Sequence, residues 1–399
     1  MKFPNNLRFK LNQRIENNAL RKLNKQTSLI DFTSNDYLGF SKSETIFEGA
    51  HQYLLDNNIK KNGSTGSRLL TGNHNVYNEV ETTLCKFHKS EAALIFNSGY
   101  DANIGFFSSV PQRGDIIIYD ELIHASIRDG IIMSNAKSYK FKHNNLKELE
   151  SLIVRHSELV SKTHQDISIY IITESVFSMD GDSPDLVVMS QITRKHNTYL
   201  IIDEAHAVGV LGENGVGLVQ ELGLQKDIFA RLITFGKALG CHGAAILGSE
   251  KLKQYLLNFA RSFIYTTALP PHSLATIKMS YKQLASSSAV ENSSRLHKNI
   301  QYFKSEIERL QISISPLGEM SKGQWGFIKS NSAIHCCIVS GNQKLKSIAQ
   351  KLQNKGFDVK PILSPTVIAG QERLRFCLHS FNTKKEISNV LHILKETIN

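Results

Sequence analysis

The stretch "YLIIDEAH", residues 199–206, is a short apolar run that ends in two acidic residues and a histidine. A run of this kind, with no polar face, is typical of a strand that is buried on both sides. Such strands occur in parallel sheets that helices cover on both faces. Asp203 and His206 then lie at the carboxyl end of the strand, which is where these sheets bind ligands.

Five further runs between residues 92 and 249 share this pattern and alternate with helical stretches. They are "AALIFNSG" (92–99), "DIIIYDE" (115–121), "SIYIITESV" (168–176), "RLITFGK" (231–237) and "GAAILGS" (243–249). The alternation predicts an α/β domain with a mainly parallel sheet. Polar side chains follow several of the runs, and they predict one ligand site at the carboxyl edge of that sheet.

The pattern changes after about residue 280, where a long polar helix leads into shorter strands and helices. This change indicates a second, smaller α+β domain over residues 283–399. A polar helix is predicted over residues 5–24, within an N-terminal helix and arm that covers residues 1–45. The large α/β domain is therefore placed at residues 46–282.

Composition limits the class of protein. The chain has 399 residues, 41% of them hydrophobic, which is enough for one large core and a smaller one. The formal net charge is +11, but the basic residues are scattered and form no compact arm of the kind that binds nucleic acid. No apolar run nears the roughly 18 residues of a membrane span, and the N-terminus lacks the apolar core of a signal peptide. We therefore expect a cytoplasmic protein that binds neither nucleic acid nor membrane.

Cysteine usage points the same way. The chain contains five cysteines, an odd number, and no two of them form a CxxC pair. The sequence therefore predicts neither a disulfide framework nor a structural zinc site, and no metal is expected.

One charged side chain, Lys237, lies in the glycine-rich stretch "LITFGKALGCHGAAILG" (232–248). A lysine at the end of a buried strand has two explanations. Its long stem can carry the ammonium group to the surface. Alternatively, desolvation lowers the pKa of the amine, which can then form a Schiff base with a carbonyl compound. The flanking glycines would let a flat cofactor approach the backbone closely.

Pyridoxal 5'-phosphate (PLP) needs several partners besides a lysine, and nearby motifs contain candidates for each. The ring nitrogen needs a carboxylate, which Asp203 could supply. The phosphate needs backbone N–H donors, which Gly99 and Tyr100 could supply at a helix N-terminus. The remaining candidates are His206 and Ser178 for the ring hydroxyl and His124 for stacking on the ring. Thr234 lies three residues before the lysine, so its hydroxyl is expected near the same strand end.

Nine motifs together resemble the α-oxoamine synthase family, whose members are PLP-dependent enzymes of fold type I. The resemblance runs in order from about residue 20 to the C-terminus. It is carried by "FTSNDYLGFS", "GSTGSRLLTGNH", "FNSGYDANIGFF", "DELIHASIRDG", "TESVFSMDGDSPDL", "IIDEAHAVGVLGENGVG", "TFGKALGCHGAAI", "FIYTTALPP" and "ERLRFCLHS". It implies PLP as the cofactor, a large domain with a mainly parallel seven-stranded sheet, and a smaller C-terminal α+β domain.

The resemblance implies a role toward the cofactor for each matching residue of this chain. Lys237 corresponds to the Schiff-base lysine, Asp203 to the partner of the ring nitrogen, and His124 to the stacking histidine. The groups at the ring oxygen correspond to His206 and Ser178. The groups on the phosphate side correspond to Gly99, Tyr100, Thr234 and Thr267, the last supplied by the second subunit of a homodimer.

The resemblance also implies substrate contacts. Asn35 and Arg375 correspond to groups that hold the amino-acid carboxylate, although the sequence alone does not choose between Arg375 and Arg373. Arg21 and Thr366 correspond to contacts with the acyl substrate, and His124 to a group that also helps to polarise the thioester carbonyl.

The implied reaction is a decarboxylative condensation of an amino acid with an acyl thioester, which releases CO2 and a free thiol. The thioester is carried on coenzyme A (CoA) or on acyl carrier protein, and the active sites are shared across a homodimer. Within the family, the strongest resemblance is to members that use L-alanine and a pimeloyl thioester. The acyl chain, the amino acid and the carrier stay open, with glycine C-acetyltransferase as an alternative.

Residues 203–206 also spell DEAH, a helicase signature for Mg²⁺ and ATP. That function needs a GxxxxGK[ST] loop upstream to hold the phosphates, and the sequence contains none. The nearest glycine-rich stretch, "NGSTGSRLL" (62–70), has no lysine in the required place. An ATP-dependent nucleic-acid enzyme is therefore a remote alternative.

Overall fold

The structure is a computed structural model that describes residues 3–23, 28–161, 167–315 and 325–398. The chain divides into two compact units. Unit 1 comprises residues 1–34, 179–182 and 295–399, and unit 2 comprises residues 35–178 and 183–294. The three domains expected from the sequence stay a prediction.

The secondary structure of the described residues is mixed. The helices are α1 (Asn5–Glu16), α2 (Glu44–Asp56), α3 (Asn75–His88), α4 (Gly99–Ser109), α5 (Ala125–Met133), α6 (Leu146–Ser161), α7 (Leu186–Lys195), α8 (Leu218–Glu221), α9 (Glu250–Phe259), α10 (Arg261–Ile264), α11 (Pro271–Leu284), α12 (Ser287–Arg309), α13 (Asn342–Asn354) and α14 (Lys384–Ile398). The strands are β1 (Ile30–Asp31), β2 (Ala92–Phe96), β3 (Ile116–Asp120), β4 (Lys137–Phe141), β5 (Ile169–Glu174), β6 (Tyr199–Asp203), β7 (Ala230–Thr234), β8 (Ala244–Gly248), β9 (Ile314–Ser315), β10 (Gly326–Ile328), β11 (Ile334–Ile338), β12 (Phe357–Asp358), β13 (Lys360–Ile362) and β14 (Arg373–Cys377). None of the helices in the described ranges is both long and apolar enough to cross a bilayer.

Unit 2 is built on a seven-stranded sheet with the strand order β2-β8-β7-β6-β5-β3-β4. The strands from β7 through β4 in that order pair in parallel, whereas β8 is antiparallel to both of its neighbours. The mainly parallel sheet expected from the sequence is confirmed, and each of the six apolar runs forms one of its strands.

The remaining strand, β4, has the sequence "KSYKF" and was not located by the sequence patterns. It pairs only with β3, at one edge of the sheet, and three of its five residues are exposed. An edge strand that faces solvent does not need a continuous apolar run, so its sequence carried no strong signal. Lysines on such an edge also discourage pairing with another chain.

Two hydrophobic cores cover the opposite faces of this sheet, because successive side chains of a strand point to opposite sides. On β5, Ile172 packs into one core and Ile171 into the other. On β6, Ile201 and Ile202 divide in the same way. Burial on both faces is the physical reason for the apolar runs from which the sheet was predicted.

A buried ion pair holds the chain that follows β6. Two guanidinium nitrogens of Arg231 donate to Glu204 Oε2, Nη2 at 2.6 Å and Nε at 2.9 Å. The other carboxylate oxygen of Glu204 accepts from the backbone N–H of Val219 at 2.9 Å. The Glu204 side chain is fully buried and that of Arg231 nearly so. Glu204 of the DEAH motif is therefore committed to packing and is not available to a nucleotide-bound metal.

We expect Glu204→Gln to lower the free energy of unfolding by about 3–5 kcal/mol, because it leaves the Arg231 guanidinium buried without its counter-charge. The measurement is the midpoint of urea unfolding followed by circular dichroism. Glu150→Gln, which removes a partly exposed carboxylate paired with Lys195 and His196, is the matched control and should leave the midpoint almost unchanged. Equal midpoints for both variants would contradict the structural role of Glu204.

Unit 1 contains a five-stranded sheet with the order β13-β14-β11-β10-β9 and a separate parallel pair, β1 with β12. Residues 179–182 are part of this unit. Asp180 forms a buried ion pair with Arg373 of β14. The carbonyl oxygen of Gly181 accepts from the hydroxyls of Ser330 and Ser332, both at 2.8 Å. These contacts fix the short segment against the sheet of unit 1.

The N-terminal helix is shorter than the sequence predicted. The expected helix over residues 5–24 ends at Glu16, and residue 24 lies outside the described residues. Asn18 adopts a left-handed backbone conformation with φ 50°, which is incompatible with a continuing α-helix. Arg21 therefore lies in a non-helical segment after α1.

Candidate active site

Lys237 lies in the turn between β7 and β8, three residues after the end of β7. Its Nζ is 2.7 Å from Nε2 of His206, which is buried three residues beyond the end of β6. Because β6 and β7 are parallel neighbours, their carboxyl ends meet at one edge of the sheet. The structure thus brings together two of the predicted residues by direct contact.

A buried tyrosine extends this contact. The hydroxyl of Tyr37 is 2.8 Å from Nδ1 of His206 and donates to Oδ1 of Asn35 at 3.2 Å. A chain of hydrogen bonds therefore links the predicted substrate residue Asn35 to Lys237 through His206. Sequence reasoning missed Tyr37, and its only signal was its place in the "FTSNDYLGFS" motif.

Asp203 is the last residue of β6, and both of its carboxylate oxygens have defined partners. Oδ1 accepts from the backbone N–H of Ala205 at 2.9 Å, and Oδ2 accepts from Nδ2 of Asn103 at 3.1 Å. Glu174, its partner in register on β5, is buried. Burial and the neighbouring Asp203 carboxylate raise the pKa of Glu174 to about 8. At neutral pH, Glu174 is therefore mostly protonated.

His124 precedes α5 and caps that helix. Its Nδ1 accepts from the backbone N–H of Ser126 at 3.2 Å and is 2.8 Å from the Ser126 hydroxyl. Its own backbone N–H donates to Glu174 Oε1 at 2.6 Å. His124 keeps an exposed surface, while the surrounding protein lowers the pKa of its imidazole. An exposed ring held from behind is suited to stacking on a flat ligand.

The predicted phosphate residues form a second cluster at the N-terminus of α4. A Cβ added at Gly99 or at Gly236 would lie 3.8 Å from the hydroxyl oxygen of Thr234, so both glycines border that hydroxyl. The hydroxyl of Ser98 caps the helix by accepting from Asp101 N at 3.0 Å. A helix N-terminus beside a hydroxyl and two glycines leaves room and donors for an anion.

Three other predicted residues have more peripheral positions. Tyr100 is exposed, and its hydroxyl donates to Asp129 at 2.5 Å. Thr267 is also exposed, and its carbonyl oxygen accepts from Nδ2 of Asn97, two residues before Gly99. Ser178 is half-buried in the turn that follows β5. Their predicted roles stay predictions.

Unit 1 holds the predicted acyl-substrate residues in one cavity. Nη2 of Arg21 donates to the hydroxyl of Thr366 at 3.4 Å. Both residues line a cavity of about 590 Å³, together with Arg14, Ala19, Leu20, Lys22, Leu23 and residues 360–364. The wall therefore combines aliphatic side chains with several cations, which is suitable for an aliphatic chain that ends in an anionic group.

The structure distinguishes the two arginines of β14. Arg373 is engaged in the buried ion pair with Asp180 and also donates to the carbonyl oxygen of Met179 at 3.1 Å. Arg375 lies two residues further on, in register with Cys336 and Lys360 of the neighbouring strands. Arg373 is therefore committed to packing, and the role of Arg375 toward a substrate carboxylate stays a prediction.

Two further polar residues, Asn103 and Ser126, were missed by sequence reasoning. Both are buried, and Nδ2 of Asn103 donates to the Ser126 hydroxyl at 3.0 Å as well as to Asp203. Asn103 lies one helical turn after Gly99 on α4. Neither residue belongs to a strand end, so the strand-end pattern could not identify them.

The donor set of unit 2 fits PLP. An amine is present at Lys237, a buried carboxylic side chain at Asp203, and a ring with an exposed surface at His124. The glycine-bordered N-terminus of α4 offers N–H donors for a phosphate. These are the groups that the cofactor's aldehyde, ring nitrogen, ring face and phosphate require.

Comparison with known proteins gives consistent matches. A model of the family "Aminotransferase class I and II" matches residues 27–394. The 8-amino-7-oxononanoate synthase of Emericella nidulans is 39% identical over 376 residues, 92% of this chain and 89% of that protein. The crystal structure of 8-amino-7-oxononanoate synthase from Francisella tularensis is 30% identical, with a TM-score of 0.74, and covers 93% of this chain and 98% of its own. A serine palmitoyltransferase of Sphingomonas wittichii is 26% identical, with a TM-score of 0.82, over 92% of this chain and 87% of its own.

Proposed function

We propose that this chain, which belongs to the aminotransferase class I and II family, condenses L-alanine with a pimeloyl thioester to give 8-amino-7-oxononanoate, CO2 and a free thiol. Enzymes of this family use PLP. The observation that carries the proposal is the placement of the Lys237 amine and the Asp203 carboxylate at the ends of adjacent parallel strands. Relatives named for this activity match nine-tenths of the chain.

The residues of unit 2 would hold the cofactor by separate contacts. Lys237 would anchor it, and Asp203 would stabilise a protonated ring nitrogen. The N-terminus of α4 and Thr234 would bind the phosphate, and His124 would lie against the ring. When bound in this way, PLP supplies an electron sink for the carbanion that forms at the amino-acid α-carbon.

Lys237 is positioned to move the α-proton. Its amine is a base only when it is neutral, and His206 Nε2, 2.7 Å away, can accept a hydrogen bond from it. Tyr37 holds the other nitrogen of His206, which fixes the ring in place. The contact with His206 therefore holds the Lys237 amine at one position, although the lysine side chain is flexible.

The residues of unit 1 would recognise the two substrates. Arg375 would hold the carboxylate of the amino acid, since a guanidinium can bind a carboxylate through two parallel hydrogen bonds. The cavity at Arg21 and Thr366 would receive the acyl group. Pimeloyl has an aliphatic chain and a terminal carboxylate, which match the aliphatic wall and the cations of that cavity.

We further infer a cytoplasmic homodimer. All five cysteines are free thiols, and three of them are buried, as expected in a reducing compartment. The exposed position of Thr267 supports a contact with the phosphate site of a second subunit.

The experiment that tests the function is a substrate panel with the full-length protein reconstituted with PLP. L-alanine, glycine and L-serine are each paired with pimeloyl-CoA, pimeloyl-acyl carrier protein, acetyl-CoA and palmitoyl-CoA, and CO2 and thiol release are followed. We expect the highest kcat/KM for L-alanine with a pimeloyl thioester. A clear preference for glycine with acetyl-CoA would replace this function with that of a glycine C-acetyltransferase.

Arg21→Ala should raise the KM for the pimeloyl thioester by about 10–100-fold, the loss expected for one hydrogen bond to a charged group. The KM for L-alanine should not change, because Arg21 lines the cavity proposed for the acyl group and Arg375 is the residue proposed to hold the amino-acid carboxylate. Arg194→Ala, which removes an exposed arginine at the end of α7, is the matched control. An unchanged KM for the thioester would remove Arg21 from acyl recognition.

A further inference from the structure

A continuous chain of side chains joins Asp203 to His124. Nδ2 of Asn103 donates to Asp203 Oδ2 at 3.1 Å and to Ser126 Oγ at 3.0 Å. Ser126 Oγ is in turn 2.8 Å from Nδ1 of His124. Asn103 and Ser126 are 3% and 1% exposed, so water cannot readily replace these contacts. The chain therefore connects the residue proposed to face the ring nitrogen with the residue proposed to stack on the ring.

The direction of each hydrogen bond in this chain can be assigned. A carboxylate only accepts, so the Asn103 atom facing Asp203 is the amide nitrogen. That nitrogen donates to Ser126 Oγ, and the single Ser126 proton is then free to point at His124 Nδ1. The backbone N–H of Ser126 also faces the same Nδ1, and a backbone N–H can only donate a hydrogen bond. Nδ1 of His124 consequently carries no proton.

The charges around His124 also affect the protonation of its imidazole. The groups that face it are Glu174, Asp203, Lys237, Asp129 and Arg128. Desolvation by the surrounding protein is the largest effect and, together with Lys237 and Arg128, it lowers the pKa of the imidazole, whereas Asp203 and Asp129 oppose that shift. The N-terminus of α5 adds a partial positive charge beside the ring. The imidazole is therefore neutral at physiological pH, with its one proton on Nε2.

We propose that Ser126 and Asn103 are positioning residues that hold His124 as the neutral Nε2–H tautomer, so that the ring offers a hydrogen-bond donor to the thioester carbonyl of the acyl substrate. This role rests on the proposed function, because it assigns the donor to that function's second substrate. A neutral imidazole at a helix N-terminus polarises a carbonyl in this manner in other enzymes. The carbonyl oxygen gains negative charge when the α-carbon attacks, and a fixed donor stabilises that charge.

The test reads the tautomer directly by nitrogen NMR of the full-length protein labelled with ¹⁵N-histidine, both with PLP bound and after PLP has been removed. His124→Gln identifies the resonances of His124 by their loss. We expect an unprotonated Nδ1 and a protonated Nε2, with a titration midpoint below the ordinary 6.5. A protonated Nδ1 at neutral pH would overturn the proposal, and this measurement needs no variant of the positioning residues.

Ser126→Ala removes one donor to Nδ1, and the midpoint of His124 should then rise by about 0.5–1 pH unit, the equivalent of one ordinary hydrogen bond. With the preferred substrates, kcat should fall by about 10-fold or more while the KM for the amino acid stays unchanged. Ser126→Thr, which keeps the hydroxyl, should restore the midpoint. Ser190→Ala, a buried serine of α7 remote from this chain of contacts, is the matched control. An unchanged midpoint in Ser126→Ala would contradict the role of Ser126.

The two readouts separate the two proposals. Because the midpoint and the tautomer are measured without substrate, they do not depend on which acyl thioester the protein uses. If the protein shows no activity with the substrate panel but His124 has the expected tautomer, the proposed function is overturned and the assignment of a neutral, oriented His124 is retained. An active panel with a protonated Nδ1 would retain the function and remove the positioning role.

Discussion

Replacing Lys237 with alanine should reduce turnover by more than about 10³-fold, because the variant loses both the covalent anchor of the cofactor and the base for the α-proton. The protein reconstituted with PLP is reduced with borohydride, and its peptides are analysed by mass spectrometry. The cofactor should be attached to the peptide that contains residue 237 in the native protein and to no peptide in the variant. The stability of the variant should be close to native, since the Lys237 side chain is only half-buried.

Lys278→Ala is the matched control for that variant. Lys278 pairs with Glu79 on the surface of unit 2, so its loss removes one lysine without touching the candidate site. It should retain normal turnover and the labelled peptide. Normal activity in Lys237→Ala would refute the assignment of the anchor.

Asp203→Asn should lower kcat by about 10²–10⁴-fold, the range spanned by losing one preorganised charge or proton-transfer group. Asparagine has nearly the same shape but no charge, so it cannot stabilise a protonated ring nitrogen. Glu174 should not compensate, because burial, the largest cause of its raised pKa, is unchanged in the variant. The measurement is kcat with the preferred substrates, accompanied by the pH dependence of the cofactor's visible absorbance.

The control for Asp203→Asn is Asp185→Asn. Asp185 is an exposed residue that caps α7 by accepting from Val188 N at 3.0 Å, so the same chemical change there should leave kcat intact. Both proteins should give the native circular dichroism spectrum. An unaffected rate in Asp203→Asn would exclude Asp203 from the ring-nitrogen role.

The sheet and its ligand edge were predictable because burial on both faces requires a visible kind of sequence. Six apolar runs gave six strands, and the polar residues that follow them include Asp203, His206 and Lys237. Strand β4 was not predicted, because it faces solvent and lacks an apolar run. The N-terminal helix was predicted to be too long, because the sequence of a polar helix gives no clear signal for where the helix ends.

The supporting residues were not predictable for a different reason. Glu204 stands beside Asp203 in the sequence, yet one carboxylate is paired with Arg231 and the other faces Asn103. Adjacent residues at a strand end point in different directions, and the partner each one meets lies 27 positions away in one case and 100 in the other. No local sequence pattern indicates which partner each carboxylate will meet.

The sequence by itself determined the strand ends and the kinds of functional group placed there, because these follow from short-range apolar patterns and from residue chemistry. Only the tertiary structure decided that Tyr37 holds His206, that Asn103 and Ser126 connect Asp203 to His124, and that Asp180 engages Arg373. All of these contacts except the one between Ser126 and His124 join residues far apart in the chain. They depend on how helices and strands pack, because packing fixes where each side chain points and whether it comes within hydrogen-bond distance of a partner.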